Sequence, residues 1–549
     1  MRATTESSGP FSGKVERVRT LIQNGWIVDG SGQPRYKSSL VIDDELIADI
    51  GTDMHGAGFD RVINAEGMIV APGFIDTHSH SDLEVMVNPY VEAKIRQGVT
   101  TELLGQDGIS MAPLPKRYIS PWRKNLAGLD GDSDELGWDY ETTDGYLKAL
   151  EQKGVGLNES YLVPHGNIRM EAMGLDNRKP SPEELEQMRQ IVRREMQSGA
   201  FGLSTGLIYM PCAYADTAEL IELCKVVAEF DGVFVVHQRS EADTILTSME
   251  EIIEIGRKSG VKIHFSHFKI CGRKNWDFID RMLGLLDMAA AEGIRTSFDQ
   301  YPYVAGSTML GAILPPWAHD GGTDKLLERL QSSDARVRMI HDINHGIPGW
   351  DNFVDFAGLD QIFVTSVKTA ANQDLVGKSL DKIGEIRGKP PLDAAFDLLL
   401  AEQNAVGMVD FYGNEEHVAR FLTRPEQNVC TDGLLGGRPH PRVFGSFPRV
   451  LGKYVREEKA LTLEDAIRKM TSKGAQVFGF ERRGELKAGN FADIVIFDPE
   501  TIIDKGTFVD PIQFPEGIEY VLVNGHVVLS GGQFGRALAG KVLRKSIKQ

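Results

Sequence analysis

The sequence of 549 residues has few cysteines and no long apolar run. Its four cysteines are scattered without a CxxC pair, which excludes a disulfide framework and a zinc ribbon: Cys212, Cys224, Cys271 and Cys430. No segment is apolar enough to span a bilayer, and the first 18 residues lack the apolar centre of a signal peptide. We therefore expect a cytoplasmic protein in which Asn158-Glu-Ser is an unused glycosylation sequence.

Positive charge is also in short supply. Asp and Glu number 78 against 60 Lys and Arg, which gives a net charge of −18. Such a chain repels nucleic acid and anionic membranes, so we expect neither as a partner. The composition does not indicate which oligomeric state the protein has. The apolar fraction of 42% and the charged fraction of 25% are ordinary for folded globular proteins.

Both ends of the chain have the pattern of short strands separated by turns. This pattern occupies about residues 18–72 and returns after residue 484, for example in GELKAGNFADIVIFD and YVLVNGHVVLSGG. We predict that residues 1–72 and 484–549 form one small discontinuous β-sandwich domain around a larger central domain of residues 73–483.

Between these ends, eight short apolar runs alternate with helical patterns, which predicts an α/β fold with a (β/α)8 TIM-like barrel. A barrel needs about 250 residues, so the chain has room for insertions. Residues from about 308 to 425 exceed a single loop and predict a lid insertion. The candidate strands are 74–80, 99–105, 160–166, 201–205, 233–237, 262–268, 295–299 and 428–432.

Two helix starts can be read from capping residues. Ser181 is a candidate N-cap, Pro182 occupies the first helical position, and Glu184 completes a capping box. An apolar stripe follows at Leu185, Met188, Ile191, Val192 and Met196. Thr462 with Asp465 opens a second helix in the same way.

The first chemical signal is His78-Ser-His80, at the end of the first candidate barrel strand. Alternate residues of a strand point the same way, so both imidazoles can face one cation. The carboxyl end of a barrel strand is also the active face of the fold. An HxH pair alone is nevertheless more often structural than functional.

Four further polar residues lie at or just past other candidate strand ends: Asp107, His237, His267 and Asp432. Each has a structural alternative, since His237 could be a core histidine and Asp432 could begin a turn. Together they favour one metal site, because barrel strand ends converge on one pocket. His165 at the third strand end either joins this set or lies behind it.

Several longer motifs carry a family resemblance that covers nearly the whole chain. They are PGFIDTHSHSD (72–82), GVTTELLGQDGIS (98–110), GAFGLSTGLIYMP (199–211), VVHQRSE (235–241), HFSHFK (264–269), DQYPYVAGST (299–308), TDGLLGGRPHPRVFGSFPRVLG (431–452) and GELKAGNFADIVIFDP (484–499). With these motifs the chain resembles the D-aminoacylase, or N-acyl-D-amino-acid deacylase, family of the amidohydrolase superfamily.

The resemblance implies a zinc-dependent amidohydrolase. It makes the four histidines His78, His80, His237 and His267 metal ligands and Asp432 the catalytic aspartate. Where D-aminoacylases typically have cysteine in a GNCG-like sequence, this chain has Asp107 in Gly-Gln-Asp-Gly. A carboxylate also binds Zn²⁺ but is a harder donor, which leaves open one ion or two, and other divalent metals.

The implied reaction is hydrolysis of an N-acyl-D-amino acid to a carboxylate and a free D-amino acid. Hydroxide supplied by Zn²⁺ would attack the amide, and Asp432 would be the general base and then the acid. By the same resemblance, five residues hold the substrate carboxylate and amide: Tyr209, Lys269, Tyr301, Ser307 and Arg442. The tyrosines could instead simply pack, and one deleted residue before Arg442 makes that match the loosest.

Alternative functions remain at this point. A cyclic amidase or a dipeptidase acting on D-residues would use the same metal site. No lysine occupies an obvious position to bridge two metal ions, which weakens the interpretation of the chain as a hydantoinase or dihydroorotase. A barrel that has lost catalysis and serves as a scaffold is a third possibility, although four histidines and Asp432 argue against it. Acyl-chain and side-chain preferences do not follow from the sequence.

Overall fold

The first part of the chain folds as a β-sheet. The computed structural model describes residues 18–52, 54 and 58–546, so residues 1–17 of the predicted small domain lie outside the described residues. β1 pairs antiparallel with β2 and parallel with β4 and β5, and β3 pairs with β2. The strands are β1 (Arg19–Ile27), β2 (Tyr36–Asp43), β3 (Leu46–Gly51), β4 (Arg61–Asn64) and β5 (Ile69–Pro72).

The next strands are all parallel and form most of the barrel. Each of the first seven predicted segments contains a strand, and the third is interrupted between β8 and β9. The strands are β6 (Phe74–Asp76), β7 (Val99–Leu104), β8 (Asn158–Tyr161), β9 (Val163–Pro164), β10 (Gly202–Gly206), β11 (Val233–His237), β12 (Lys262–Phe265) and β13 (Thr296–Gln300).

Nine α-helices accompany these strands in the described part of the chain. Both predicted capping features of α6 are present, because Ser181 accepts a hydrogen bond from the amide of Glu184 and the Glu184 side chain returns one. The helices are α1 (Glu84–Val87), α2 (Glu92–Ile95), α3 (Ile119–Leu126), α4 (Thr143–Lys153), α5 (His165–Met173), α6 (Pro182–Gln197), α7 (Thr217–Glu229), α8 (Ile245–Ser259) and α9 (Ile279–Ala291).

An insertion follows β13 and has a hydrophobic core of its own, which includes Leu326, Phe396 and Met408. Its three strands form an antiparallel sheet with β16 in the centre. The predicted insertion range of about 308–425 and the predicted domain limits stay predictions. The elements are β14 (Ala305–Met309), α10 (Thr323–Gln331), α11 (Ser333–His345), α12 (Phe353–Phe356), β15 (Ile362–Val367), α13 (Leu380–Arg387), α14 (Pro391–Ala401) and β16 (Val406–Phe411).

The chain then returns to close the barrel. β17 (Gln427–Val429), within the eighth predicted segment, pairs parallel with β13. Just beyond β17, Gly433 bridges Ser79 in parallel, and the Asp432 amide donates to the His78 carbonyl at 2.9 Å. The eighth strand therefore meets the first. The helices here are α15 (Glu415–Leu422), α16 (Arg442–Arg449), α17 (Leu463–Met470), which Thr462 caps as predicted, and α18 (Ser472–Phe478).

The last strands join the first ones in a single nine-stranded sheet, as both chain ends predict. β18 pairs antiparallel with β5, so the sheet joins residues more than 400 positions apart. Among the described residues, no helix has the length and apolar character needed to cross a membrane. The strands are β18 (Ile494–Phe497), β19 (Ile518–Val523), β20 (His526–Ser530) and β21 (Gln533–Phe534).

A buried lysine ties together three strands at the point of closure. The Lys94 ammonium is fully buried and lies 2.6 Å from the Asp76 carboxylate and 3.2 Å from the Glu102 carboxylate. It also donates to the Thr431 hydroxyl at 2.8 Å. These partners belong to the first, second and eighth barrel strands or their ends. The charges compensate one another only while all are present.

Replacing Lys94 by methionine should therefore destabilise the fold. The substitution leaves two buried carboxylates without their cation, and breaking such a buried pair costs about 3–5 kcal/mol. Urea unfolding followed by circular dichroism measures the loss. Lys148→Met is the matched control, because Lys148 pairs with Asp144 at an exposed position. Equal stability of the two variants would contradict this interpretation of Lys94.

Candidate metal centre

All six predicted metal-site residues meet at the carboxyl end of the barrel strands. His78 and His80 follow β6, Asp107 follows β7, His237 ends β11, His267 follows β12 and Asp432 follows β17. Each is at least 94% buried. β6 is shorter than predicted and ends at Asp76, but Ser79 still pairs with Gly433. That pairing keeps the two imidazoles beside it directed at one point.

Asp107 lies at the centre of the four histidines. Its Oδ1 is 3.7 Å from both His78 Nε2 and His267 Nε2. Its Oδ2 is 3.6 Å from His80 Nε2 and 4.0 Å from His237 Nδ1. One carboxylate thus faces all four imidazoles, with a different oxygen directed towards each pair. This is the geometry of a residue that can link two neighbouring cation positions.

The donor atoms form three overlapping groups, in each of which the ligand atoms lie within 4.8 Å of one another. These groups are His78–His80–Asp432, His78–Asp107–His267 and His237–Glu241–His267. Both ring nitrogens of His78, Nδ1 of His80 and Oδ1 of Asp107 are buried without a hydrogen-bond partner. Buried polar atoms rarely stay unsatisfied, and imidazole with carboxylate is a zinc-type donor set. The residues therefore fit a divalent cation.

Three residues of the same cluster have strained backbone conformations. Asp107, His267 and Asp432 have φ values of 54°, 36° and 49°, in the left-handed region that non-glycine residues rarely adopt. The amide of His267 donates to Asp299 Oδ1, which helps to hold that conformation. Strain of this kind persists where the surroundings over-determine a conformation, and it is common at functional sites.

Three acidic residues outside the predicted set support the histidines. Asp130 Oδ1 lies 3.3 Å from His80 Nδ1, and Asp299 Oδ2 lies 3.6 Å from His78 Nδ1. Glu241 Oε1 lies 3.2 Å from His267 Nδ1. Asp299 ends the seventh predicted strand and Glu241 follows His237 by four residues, so strand ends and spacing could have indicated both. Asp130 lies in a loop and has no such signal.

Charge on Asp432 is controlled by its neighbours. Burial disfavours the carboxylate form, but the Arg442 guanidinium, with His267 and His78, outweighs it and holds the pKa of Asp432 well below its usual range. The Arg442 Nη1 atom lies 2.7 Å from Asp432 Oδ2. Asp432 is consequently an anion at neutral pH, able to accept a proton or to bind a cation.

The five predicted substrate residues line the same pocket as five of the six metal-site residues, all except His78, and the pocket has a volume of about 490 Å³ that includes space open to solvent. Tyr209 pairs with the Thr308 hydroxyl at 2.7 Å, and Tyr301 pairs with the Tyr412 hydroxyl at 2.5 Å. The insertion supplies one wall of this pocket. The predicted substrate residues are Tyr209, Lys269, Tyr301, Ser307 and Arg442.

His165 lies outside this pocket. Its Nδ1 contacts the Thr205 hydroxyl at 2.9 Å, and its Nε2 contacts Glu219 at 2.8 Å. Both ring nitrogens are therefore engaged by protein groups. Of the two alternatives that the sequence leaves open, the structure favours a position behind the site.

Comparison with known proteins identifies the family. The amidohydrolase family profile matches residues 61–311 and 428–529. The chain belongs to the amidohydrolase family. The unmatched residues between the two segments include most of the insertion.

Within this family the chain is similar to D-aminoacylase and to deacylases of N-acyl-D-amino acids. It is 34% identical to D-aminoacylase of Alcaligenes xylosoxydans xylosoxydans over 96% of this chain and 97% of that protein. It is 36% identical to N-acyl-D-glutamate deacylase of the same organism over 93% and 94%. The sequence-based family assignment is confirmed.

A solved structure shows the same relationship. The N-acyl-D-glutamate deacylase of Bordetella bronchiseptica, complexed with zinc and a phosphonate inhibitor that mimics the tetrahedral intermediate, superimposes with a TM-score of 0.81 at 34% identity. The match covers 96% of this chain and 100% of that one. The predicted barrel fold is thereby confirmed.

The support of His80 by Asp130 can be tested through metal affinity. Histidine ligands usually direct their second nitrogen at a carboxylate, and losing that partner weakens metal binding about 10–100-fold. We expect Asp130→Asn to weaken apparent Zn²⁺ affinity by such a factor, measured by competition with a chromophoric chelator. Asp132→Asn is the control, because Asp132 pairs with Arg123 at the surface. Unchanged affinity in Asp130→Asn would show that His80 needs no such support.

Proposed function

We propose that this protein is a metal-dependent hydrolase of N-acyl-D-amino acids that releases a carboxylate and a free D-amino acid. The observation that carries this proposal is the convergence of unsatisfied imidazole and carboxylate donors in a pocket that also contains Lys269 and Arg442. The relatives named above support the linear amide and the D configuration. No comparable observation favours a cyclic amidase, a dipeptidase or an inactive scaffold.

We assign the metal to the six clustered residues His78, His80, Asp107, His237, His267 and Asp432. Their overlapping donor groups have room for one ion or two, and the carboxylate of Asp107 faces both positions. A bound Zn²⁺ or similar divalent ion polarises the amide carbonyl and lowers the pKa of water. The carboxylate in place of a thiolate makes harder divalent metals acceptable as well.

Asp432 is assigned as the general base and acid. Its carboxylate is ionised, lies beside His78 and His80, and lines the pocket. It takes a proton from the attacking water and passes it to the amide nitrogen, so that the amine leaves in neutral form. Arg442 fixes the carboxylate on the side away from the histidines.

The substrate carboxylate is assigned to the group of Lys269, Tyr301, Ser307 and Arg442, with Tyr209 beside them. Lys269 and Arg442 supply positive charge, and the hydroxyl groups fix orientation. The Lys269 ammonium lies 5.8 Å from the centre of the Tyr301 ring, and the Arg442 guanidinium lies 4.4 Å from it. A substrate without a carboxylate would offer no anion for Lys269 and Arg442 to bind.

We also propose a cytoplasmic location with no nucleic-acid or membrane partner. All four cysteines are buried and free, which suits a reducing compartment. The net charge of −18 disfavours anionic polymers and surfaces.

Replacing Asp432 by asparagine tests the assignment of the base. The variant keeps the size of the side chain but cannot accept the proton, so kcat should fall by at least about 10²–10⁴-fold. One donor group, His237–Glu241–His267, and another, His78–Asp107–His267, do not include Asp432, so at least one metal equivalent should remain. Steady-state kinetics and metal analysis by mass spectrometry give the two values. Near wild-type turnover would refute this role.

A small substrate matrix tests the reaction itself. We expect amine release from N-acetyl-D-methionine and none from N-acetyl-L-methionine, with activity lost on chelation and regained with Zn²⁺. Dihydrouracil serves as the cyclic control. If only the cyclic amide were hydrolysed, the proposal would be wrong and the protein would be a cyclic amidase.

A further inference from the structure

The insertion places the carboxylate of one residue, Asp410, in the pocket. Asp410 lies on β16, is 2% exposed and lines the pocket together with Tyr412. Within the described part of the chain, its carboxylate forms no ion pair or hydrogen bond with another residue; its own backbone amide is its hydrogen-bond partner, and Lys269 and Arg442 attract it through space. A bound molecule can therefore pair directly with the Asp410 carboxylate.

The other acidic residues of the pocket wall already have partners. Asp351 accepts hydrogen bonds of 2.6 Å from the Ser240 hydroxyl and from the Glu241 amide. Glu241 receives Lys269 at 2.7 Å on both of its oxygens. Asp410 is thus the wall carboxylate that remains available to a bound molecule.

The position of Asp410 is next to the proposed substrate residues. In the pairing of β14 with β16, Gly306 lies directly opposite Asp410, and Ser307 is the next residue. A side chain on Gly306 would begin 3.1 Å from Asp410 Oδ1. Ser307 and Asp410 both line the pocket, so a substrate held at Ser307 lies in the same cavity as Asp410.

The two positively charged side chains of the pocket already form ion pairs. Lys269 and Arg442, the lysine and arginine of the pocket lining, are ion-paired with Glu241 and Asp432. They can attract the one carboxylate that every N-acyl amino acid carries. A second carboxylate, on the substrate side chain, would find no further lysine or arginine in the pocket lining and would approach Asp410, where repulsion between like charges weakens binding.

We propose that Asp410 is a specificity-determining residue that admits N-acyl amino acids with neutral or cationic side chains and excludes acidic ones. The inference rests on the proposed function and narrows its substrate class. This preference would distinguish the protein from N-acyl-D-glutamate deacylases, whereas overall sequence identity does not distinguish them. Side chains that donate hydrogen bonds or carry positive charge satisfy the Asp410 carboxylate, whereas an acidic side chain repels it.

The sharpest test compares N-acetyl-D-glutamine with N-acetyl-D-glutamate, which have the same shape and differ in charge. Assays at about pH 8.5 keep Asp410 ionised, because burial raises its pKa to about 7. We expect kcat/KM for the glutamine substrate to exceed that for glutamate by about tenfold or more. Asp410→Asn should bring this ratio close to one and should lower kcat/KM for Nα-acetyl-D-lysine.

Asp360→Asn is the matched control, since Asp360 is an exposed acid of the same insertion. It should leave the substrate ratio at the wild-type value. Equal or better hydrolysis of the glutamate substrate by wild-type protein would overturn the inference, as would an unchanged ratio in Asp410→Asn. N-acetyl-D-methionine separates this failure from failure of the proposed function. Its hydrolysis shows that the function stands, whereas inactivity on every substrate overturns both.

Discussion

Closure of the parallel barrel is the constraint on which the rest of the structure depends. The hydrogen bond from the Asp432 amide to the His78 carbonyl joins the eighth strand end to the first. Because all strands run in the same direction, closure brings polar residues from five strand ends to one rim. The buried Lys94 compensates the carboxylates at this junction. The metal cluster therefore exists only when residues more than 350 positions apart are paired.

Barrel strands and metal-site residues were predictable because both depend on local patterns. Apolar runs mark the strands, and polar residues that follow them mark the rim, as for His237 and Asp432. The sequence did not reveal Asp130, which reaches His80 from a loop, or Asp410, which belongs to a strand of the insertion. Their positions follow from how loops and sheets pack, and no periodic pattern records that packing.

Asp107 stands where the family resemblance implies a cysteine, and it offers the proposed metal centre two donor atoms in place of one. A thiolate offers one sulfur atom, whereas the carboxylate directs Oδ1 towards His78 and His267 and Oδ2 towards His80 and His237. The φ of 54° at Asp107 sets this orientation at an energetic cost that the surrounding fold must offset. Each oxygen thus faces a different pair of imidazoles, and the carboxylate would be a harder donor than a thiolate to a bound cation.

The barrel and the insertion have separate tasks in this arrangement. The barrel rim carries the residues to which we assign the metal and the reaction, and they lie within the segments matched by the family profile. The insertion carries Asp410 and Tyr412, which also line the pocket and lie outside the segments matched by the family profile. Residues outside that shared part can vary without disturbing the metal cluster. Substitutions in the insertion can therefore change the substrate preference while the reaction stays the same. For this reason, similar sequence identity to deacylases of different substrates does not show which amino-acid side chain the enzyme prefers.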